Sequence, residues 1–377
     1  MSTTPPVPAP QRRRGCLIPL LAVGLFLSVL LNLVALYAFV EVIDDSLEPN
    51  PTSERFYLGD PDSRYKIAVI RVSGVLTEAG IQQPIRQLEA AARDKRVKAV
   101  VLRIDSPGGT VTASEELYQN ILNLRDNNGR RFKSTSAKPV SVSMGGVAAS
   151  GAYYISVAGN PISAEKSTIT GSIGVFVALP NIAELAHKNG VKLELIKAGG
   201  IKASGSFFHD LSPQERQTWQ DTVDSAYDQF VGVIAANRPA LNANDLRDKV
   251  VLERMIPERD EKGNPKTDAA GKVIEAKYTR RLADGGTFTA SAAQQFGLVD
   301  RVEDLPAAIR AAAEKNGLGS FKAIVYERTP GILERVTGLP LGKRSVLPVD
   351  LLEASSSLTP RLWYLAPSAD AGLLAGH

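Results

Sequence analysis

Three short β-branched runs, Lys66-Ile-Ala-Val-Ile-Arg-Val72, Val97-Lys-Ala-Val-Val-Leu-Arg-Ile104 and Pro139-Val-Ser-Val-Ser-Met144, alternate with helical patterns and constrain the fold more than any other feature of the chain. A run that is apolar on successive residues has no solvent face, so each strand must be covered on both sides. Helical patterns at Ile85 to Ala92, Thr112 to Leu124, Ala148 to Ala158, Asn181 to Asn189 and Ser212 to Arg238 supply the cover. The alternation predicts an α/β fold, a mostly parallel sheet with covering helices.

Ahead of these runs lie 24 consecutive residues without formal charge, Leu17 to Val40. About 20 such residues suffice to cross a bilayer, and no small-residue cleavage site follows, so the reading is one retained transmembrane helix. Arg12, Arg13 and Arg14 precede the span while Glu41, Asp44, Asp45 and Glu48 follow it. The positive-inside rule then predicts a single-pass protein of the cytoplasmic membrane, with the tail 1–16 in the cytoplasm and everything beyond 17–40 on the extracytoplasmic side. Residues 41–65, with Pro49-Asn-Pro-Thr52 and Gly59-Asp-Pro-Asp62, read as a polar stalk, 66–328 as the main domain and 329–377 as an extension without a core of its own. Within the main domain, the turn-rich 258–277 reads as an inserted hairpin or loop.

The composition excludes several classes. A net charge of +4, with no basic cluster longer than three residues, lacks the footprint of a nucleic-acid binder. A single cysteine, Cys16, excludes an intramolecular disulfide and a cysteine zinc site, and no cofactor is expected. The three histidines, His187, His209 and His377, fall in no triad pattern. A hydrolytic serine in this chain would therefore call for a lysine as its base.

Such a serine is offered by Met144-Gly-Gly-Val-Ala-Ala-Ser150-Gly-Ala-Tyr-Tyr154, where a strand runs into a helix. Gly151 offers a backbone N–H there, and the Pro-Gly-Gly109 turn after the second strand offers another, together forming an oxyanion hole. Taken singly, small-residue stretches mark close helix packing and Pro-Gly-Gly marks a turn. Their placement after two successive strands is what points to a site, because sites in open sheets gather at the carboxyl ends of strands.

Four blocks in order, Ile104-Asp-Ser-Pro-Gly-Gly109, Met144 to Tyr154, Thr170-Gly-Ser172-Ile-Gly-Val175 and Ala198-Gly-Gly-Ile-Lys202, resemble the signature of the bacterial signal peptide peptidase A family. Asp221 to Phe230, Arg238, Thr287 to Ala293 and Phe296-Gly-Leu-Val-Asp300 extend the resemblance, which covers roughly 66 to 316. It implies a Clp protease/crotonase-like fold and a serine protease with nucleophile Ser150, general base Lys202, and Ser172 hydrogen-bonded to the lysine. A lysine serves as a base only where desolvation favours its neutral form. On its residues alone Lys202 reads as an ordinary solvated lysine beside Lys192 and Lys197. The chain departs from the family pattern at Gly146-Val147 and Ala152, and loosely after Lys202, which bears on substrate preference. Long members hold two copies of the fold and share the dyad between them; this chain has no internal repeat. The resemblance therefore implies a ring-like homo-oligomer with dyads completed between protomers, cutting extended peptides such as signal peptide remnants. A catalytically inactive membrane scaffold and a crotonase-like acyl-CoA enzyme stand as alternatives.

Overall fold

Each of the three apolar runs forms a strand of one sheet, seen in a computed structural model that describes residues 23–35, 52–127, 132, 136–328 and 362–365. Residues 23–35 form a helix, α1, whose aliphatic side chains are exposed. No helix among the described residues is long and apolar enough to cross a membrane. The rest of the 17–40 run lies outside the described residues, as does most of the 329–377 extension.

The body begins with β1 (Thr52–Gly59) and β2 (Lys66–Ser73), followed by α2 (Gln82–Arg93), β3 (Val97–Ser106), β4 (Gly108–Thr110), α3 (Val111–Asp126), β5 (Val140–Ala149) and α4 (Gly151–Ser156). Three short strands, β6 (Ile162–Ala164), β7 (Ile169–Gly171) and β8 (Phe176–Val177), precede α5 (Ala183–Lys188), α6 (Pro213–Asn237) and α7 (Ala243–Asp248). Then come β9 (Val250–Pro257), β10 (Glu275–Arg281), β11 (Thr287–Thr289), α8 (Ala290–Gln295), β12 (Arg301–Val302), α9 (Leu305–Lys315), β13 (Lys322–Arg328) and β14 (Leu362–Leu365).

The main sheet runs β1-β13-β2-β3-β5-β6-β12, with β7 on the far end of β5 and β11 beside β7. Pairings of β2 with β3 and of β3 with β5 are parallel. Alternate residues supply two cores. Ala68, Ile70, Val72, Val100, Leu102 and Ile104 pack with α2, α3 and α4, while Ile67, Val69, Ala99 and Val101 pack with Ile309, Ala312 and Ala313 of α9. That double burial is why these strands read as unbroken apolar runs instead of alternating ones.

Two boundaries differ from the sequence reading. The stalk was expected to run to residue 65, yet β1 within it is the outer strand beside β13, so the body starts at Thr52. The helix expected at Ala148 to Ala158 shrinks to Gly151–Ser156, because Val147, Ala148 and Ala149 stay extended to pair with Ile169, Thr170 and Gly171 of β7. The turn-rich 258–277 region is the outer part of an antiparallel β9–β10 hairpin.

Two of the outlying blocks have a structural explanation. Arg238, at the end of α6, donates two bonds to the Asp300 carboxylate, at 2.8 and 2.9 Å, and two more to the Gly297 carbonyl. Asp300 also accepts from the Ile162 N–H at 2.8 Å. Burial works against the Asp300 charge, but these donors outweigh it and hold its carboxyl below the usual range. Asp300→Asn is therefore expected to cost about 2 kcal/mol near pH 7. Since the folded pKa is depressed, this contribution is full above the unfolded carboxylate value and fades as pH falls through the folded one. Urea unfolding of both proteins at pH 7 and at pH 3 measures it, the gap narrowing in acid.

Candidate active site

Ser150 leaves β5 and begins α4, and it is one of three described non-glycine residues with positive φ. The other two are Asn127, in the left-handed position that ends α3, and Ser172. A serine at φ 57° and ψ −120° is strained by roughly 1–3 kcal/mol, held by its surroundings. Its N–H donates to the Gly171 carbonyl at 2.7 Å, and its carbonyl accepts from Tyr154. Although it is the first residue of the turn, its hydroxyl does not cap the helix. The Oγ is fully buried and has no hydrogen-bond partner, an uncommon condition in a packed interior.

Ser172 lies beside it through strand register. Ala149 pairs with Gly171, so the next residue of each strand, Ser150 and Ser172, leaves the sheet at the same point. Ser172 takes φ 51° and donates its N–H to the Gly286 carbonyl at 2.9 Å. The two serines are brought together; Lys202 is not. It sits in an exposed turn after α5, and with Ser150 Oγ unpartnered, no hydrogen bond joins it to that serine within the chain.

The glycine pair lines the remaining side. Leu76 takes the Gly108 carbonyl at 2.8 Å and the Thr110 N–H at 2.9 Å. Successive residues of a strand point their polar groups to opposite sides, so the Gly109 N–H and carbonyl face away from Leu76. There they meet β14, where Tyr364 pairs with Gly109. The place a Cβ would take on Gly108 is 2.8 Å from the Gly151 nitrogen and 2.1 Å from the Tyr364 carbonyl oxygen. A Cβ on Gly151 would lie 2.4 Å from Ser114 Oγ and 3.1 Å from the same carbonyl oxygen. A Cβ at either position would overlap these atoms, so both places call for glycine. Gly108, with φ 105°, is thus a site residue that the sequence reading passed over in favour of its neighbour. Gly108→Ala is expected to lower kcat/KM for peptides by about 10²–10³-fold, the scale of a lost oxyanion donor. Steady-state kinetics on a short peptide substrate, with a circular dichroism check of fold, measures it.

Sequence reading also missed an aromatic cluster. Tyr154 of α4 and Phe230 of α6 enclose the Tyr364 ring, with centroids 5.2 and 4.6 Å away, and Tyr118 meets Tyr154 edge-on. Burial, reinforced by the hydrogen bond to Glu115, pushes the Tyr154 hydroxyl well above the ordinary tyrosine range, so it stays a neutral donor. The signal was Tyr153-Tyr154, three and four residues after the serine, but its partners lie far along the chain.

A buried serine hydroxyl at a positive-φ corner, close-packed glycines beside it and an edge that takes an extended strand suit a serine peptidase on a mixed α/β scaffold. A family model for peptidase family S49 matches residues 132–253, which include Ser150, Ser172 and Lys202. The chain belongs to that family, the signal peptide peptidase A family. It is 31% identical to a putative protease of Synechocystis sp., slr0021, over 73% of this chain and 84% of that protein. Protease 4 of Salmonella typhi is 30% identical over 79% of this chain, and the chloroplastic serine protease SPPA of Arabidopsis thaliana is 32% identical over 72%. This chain spans only 44% and 35% of the length of those two relatives.

Proposed function

We propose that this protein is a membrane-anchored serine endopeptidase that cleaves extended peptides, residual signal peptides among them, on a Clp protease/crotonase-like scaffold. Ser150 is its nucleophile, Lys202 its general base, Ser172 the group that orients the lysine, and Gly109 and Gly151 its oxyanion donors. The single observation that carries this reading is the buried, unpartnered Ser150 Oγ, at a positive-φ corner next to Ser172. The uncharged run from Leu17 to Val40 and the arginines before it support the anchor and its orientation.

Lys202 is supplied by a neighbouring copy in a ring. Supporting this, the arm that carries it exposes Leu185, Val191, Leu193, Leu195 and Ile201, and Ile196 is 94% exposed. An apolar surface of that kind is a contact surface. A second one, Leu252 and Met255 with Val273 and Ile274, lies on the β9–β10 hairpin. Two different apolar patches on one chain suit the head-to-tail contacts that close a ring. Trapping is the test. Acid quench during turnover of a peptide ester should leave an acyl group on Ser150, found by peptide mapping and missing from Ser150→Ala. An acyl group on another residue would overturn the assignment.

A further inference from the structure

His209 belongs to no catalytic triad, yet both of its ring nitrogens are engaged. Nδ1 lies 2.7 Å from the Asp210 carbonyl oxygen and Nε2 lies 2.9 Å from the Ala203 carbonyl oxygen. A carbonyl oxygen can only accept. A neutral imidazole has one N–H and a lone pair on its other nitrogen, so it serves one of these oxygens and repels the other. The imidazolium, with two N–H groups, satisfies both.

The charges around the ring suit a cation. Glu215 Oε1, in the first turn of α6, is 4.0 Å from Nε2, on a side chain only 4% exposed. The Ser212 N–H donates to Glu215 at 3.0 Å and, against burial, holds its carboxyl below the usual range, so the group is a carboxylate. Lys197 Nζ meets the same oxygen at 3.8 Å from the side of the arm. The Asp210 carboxylate accepts from Asn181 Nδ2 at 2.6 Å, just ahead of α5.

What His209 grips is the turn of Lys202. Ala203 follows the lysine and is the first buried residue after the exposed stretch from Asn189 to Lys202. Its carbonyl also accepts from the Ser206 N–H at 2.9 Å, and the Lys202 N–H donates to the Gly199 carbonyl at 3.2 Å. Those two bonds are local to the turn. The bond from His209 ties it to the segment that leads into α6.

We propose that His209, as the imidazolium, is a positioning residue for Lys202. Its two N–H groups fasten the lysine's turn to the entry of α6, and loss of its proton gives up one of them and loosens the base. This rests on Lys202 as the general base. The effect follows imidazole titration, between about pH 5 and 8, with the clamp complete on the acid side. A lysine base asks for the neutral amine and so favours higher pH. The two demands oppose each other, and the histidine restrains activity on the alkaline side.

The test compares the full chain in detergent micelles as wild type, His209→Gln and His209→Arg, reading kcat for a short peptide ester from about pH 5 to 8. Titration of Lys202 is common to these proteins and cancels in their ratios. Wild type should exceed His209→Gln by about tenfold at the acid end, and the two should converge at the alkaline end. The guanidinium of His209→Arg does not titrate, so its ratio to His209→Gln should stay level. Hydrogen exchange of the segment 199–206, compared at matched pH by mass spectrometry, should show wild type better protected than His209→Gln in acid and equal to it in alkali. A level wild-type ratio would make His209 a merely structural residue and overturn the inference, as would exchange unmoved by the substitution. A ratio that falls with pH in His209→Arg as well would assign the titration elsewhere and overturn it too. In each of these cases an inert Lys202→Ala leaves the base assignment standing. Hydrolysis by Lys202→Ala at the wild-type rate would instead overturn that assignment, and the positioning role with it, even where exchange still follows His209.

Discussion

Ser150→Ala protein is expected to lose peptide hydrolysis by about 10⁴-fold or more, because removing the nucleophile of a serine hydrolase leaves only binding and oxyanion stabilisation. Stability is expected to change little. The hydroxyl accepts and donates nothing in the folded chain, so its removal leaves no partner unsatisfied, and alanine fills the same buried site. The positive φ at position 150 costs alanine about as much as serine, so the strain is not relieved. This combination, lost activity at an unchanged melting temperature, separates a catalytic serine from a packing one. A packing serine would show the reverse. Residual activity within tenfold of wild type would remove Ser150 from the mechanism.

The parts of the site that were legible in the sequence are those carried by short segments with backbone demands. Ser150 follows a β-branched run and precedes Gly151, and both sides of that corner need small residues, since a Cβ at 151 meets Ser114 and one at 108 meets the Gly151 nitrogen. Such demands leave a local trace. Strands β2 and β3 were legible for a related reason, because burial on both faces writes an unbroken apolar run. The end of β5 was not, since Val147 to Ala149 are extended only through their pairing with β7, some twenty residues later. Residues alone gave Ala148 to Ala158 a helical pattern, and tertiary pairing overrode it. β1 was hidden by flanking Pro and Asp-Pro turns that look like a stalk. Least legible was the aromatic pocket. Tyr154, Phe230 and Tyr364 come from three distant segments, and nothing near Leu362-Trp-Tyr-Leu365 marks it as a strand of this body. Periodicity reports a segment's own faces and is silent on which groove an extended tetrapeptide enters.

Lys202→Ala is expected to match Ser150→Ala in its loss of activity, by about 10⁴-fold, since nucleophile and base act as one unit. The informative experiment combines the two. Lys202 lies on an arm whose residues from Asn189 to Lys202 are all exposed, and its own Ser150 Oγ stays unpartnered. If a neighbour's arm covers each site, it brings the ammonium into a place that strips its water and favours the neutral amine a base requires. Chains with Ser150→Ala and chains with Lys202→Ala, coexpressed in equal amounts, would then form rings in which about one site in four joins an intact serine to an intact lysine across a head-to-tail contact. Activity should return to about a quarter of wild type from two partners that are each inert. A dyad closed within one chain predicts the opposite, because every chain in the mixture lacks one member. Failure to recover activity in assemblies shown by mass spectrometry to contain both chains would rule out the shared dyad and require the arm to fold back onto its own Ser150.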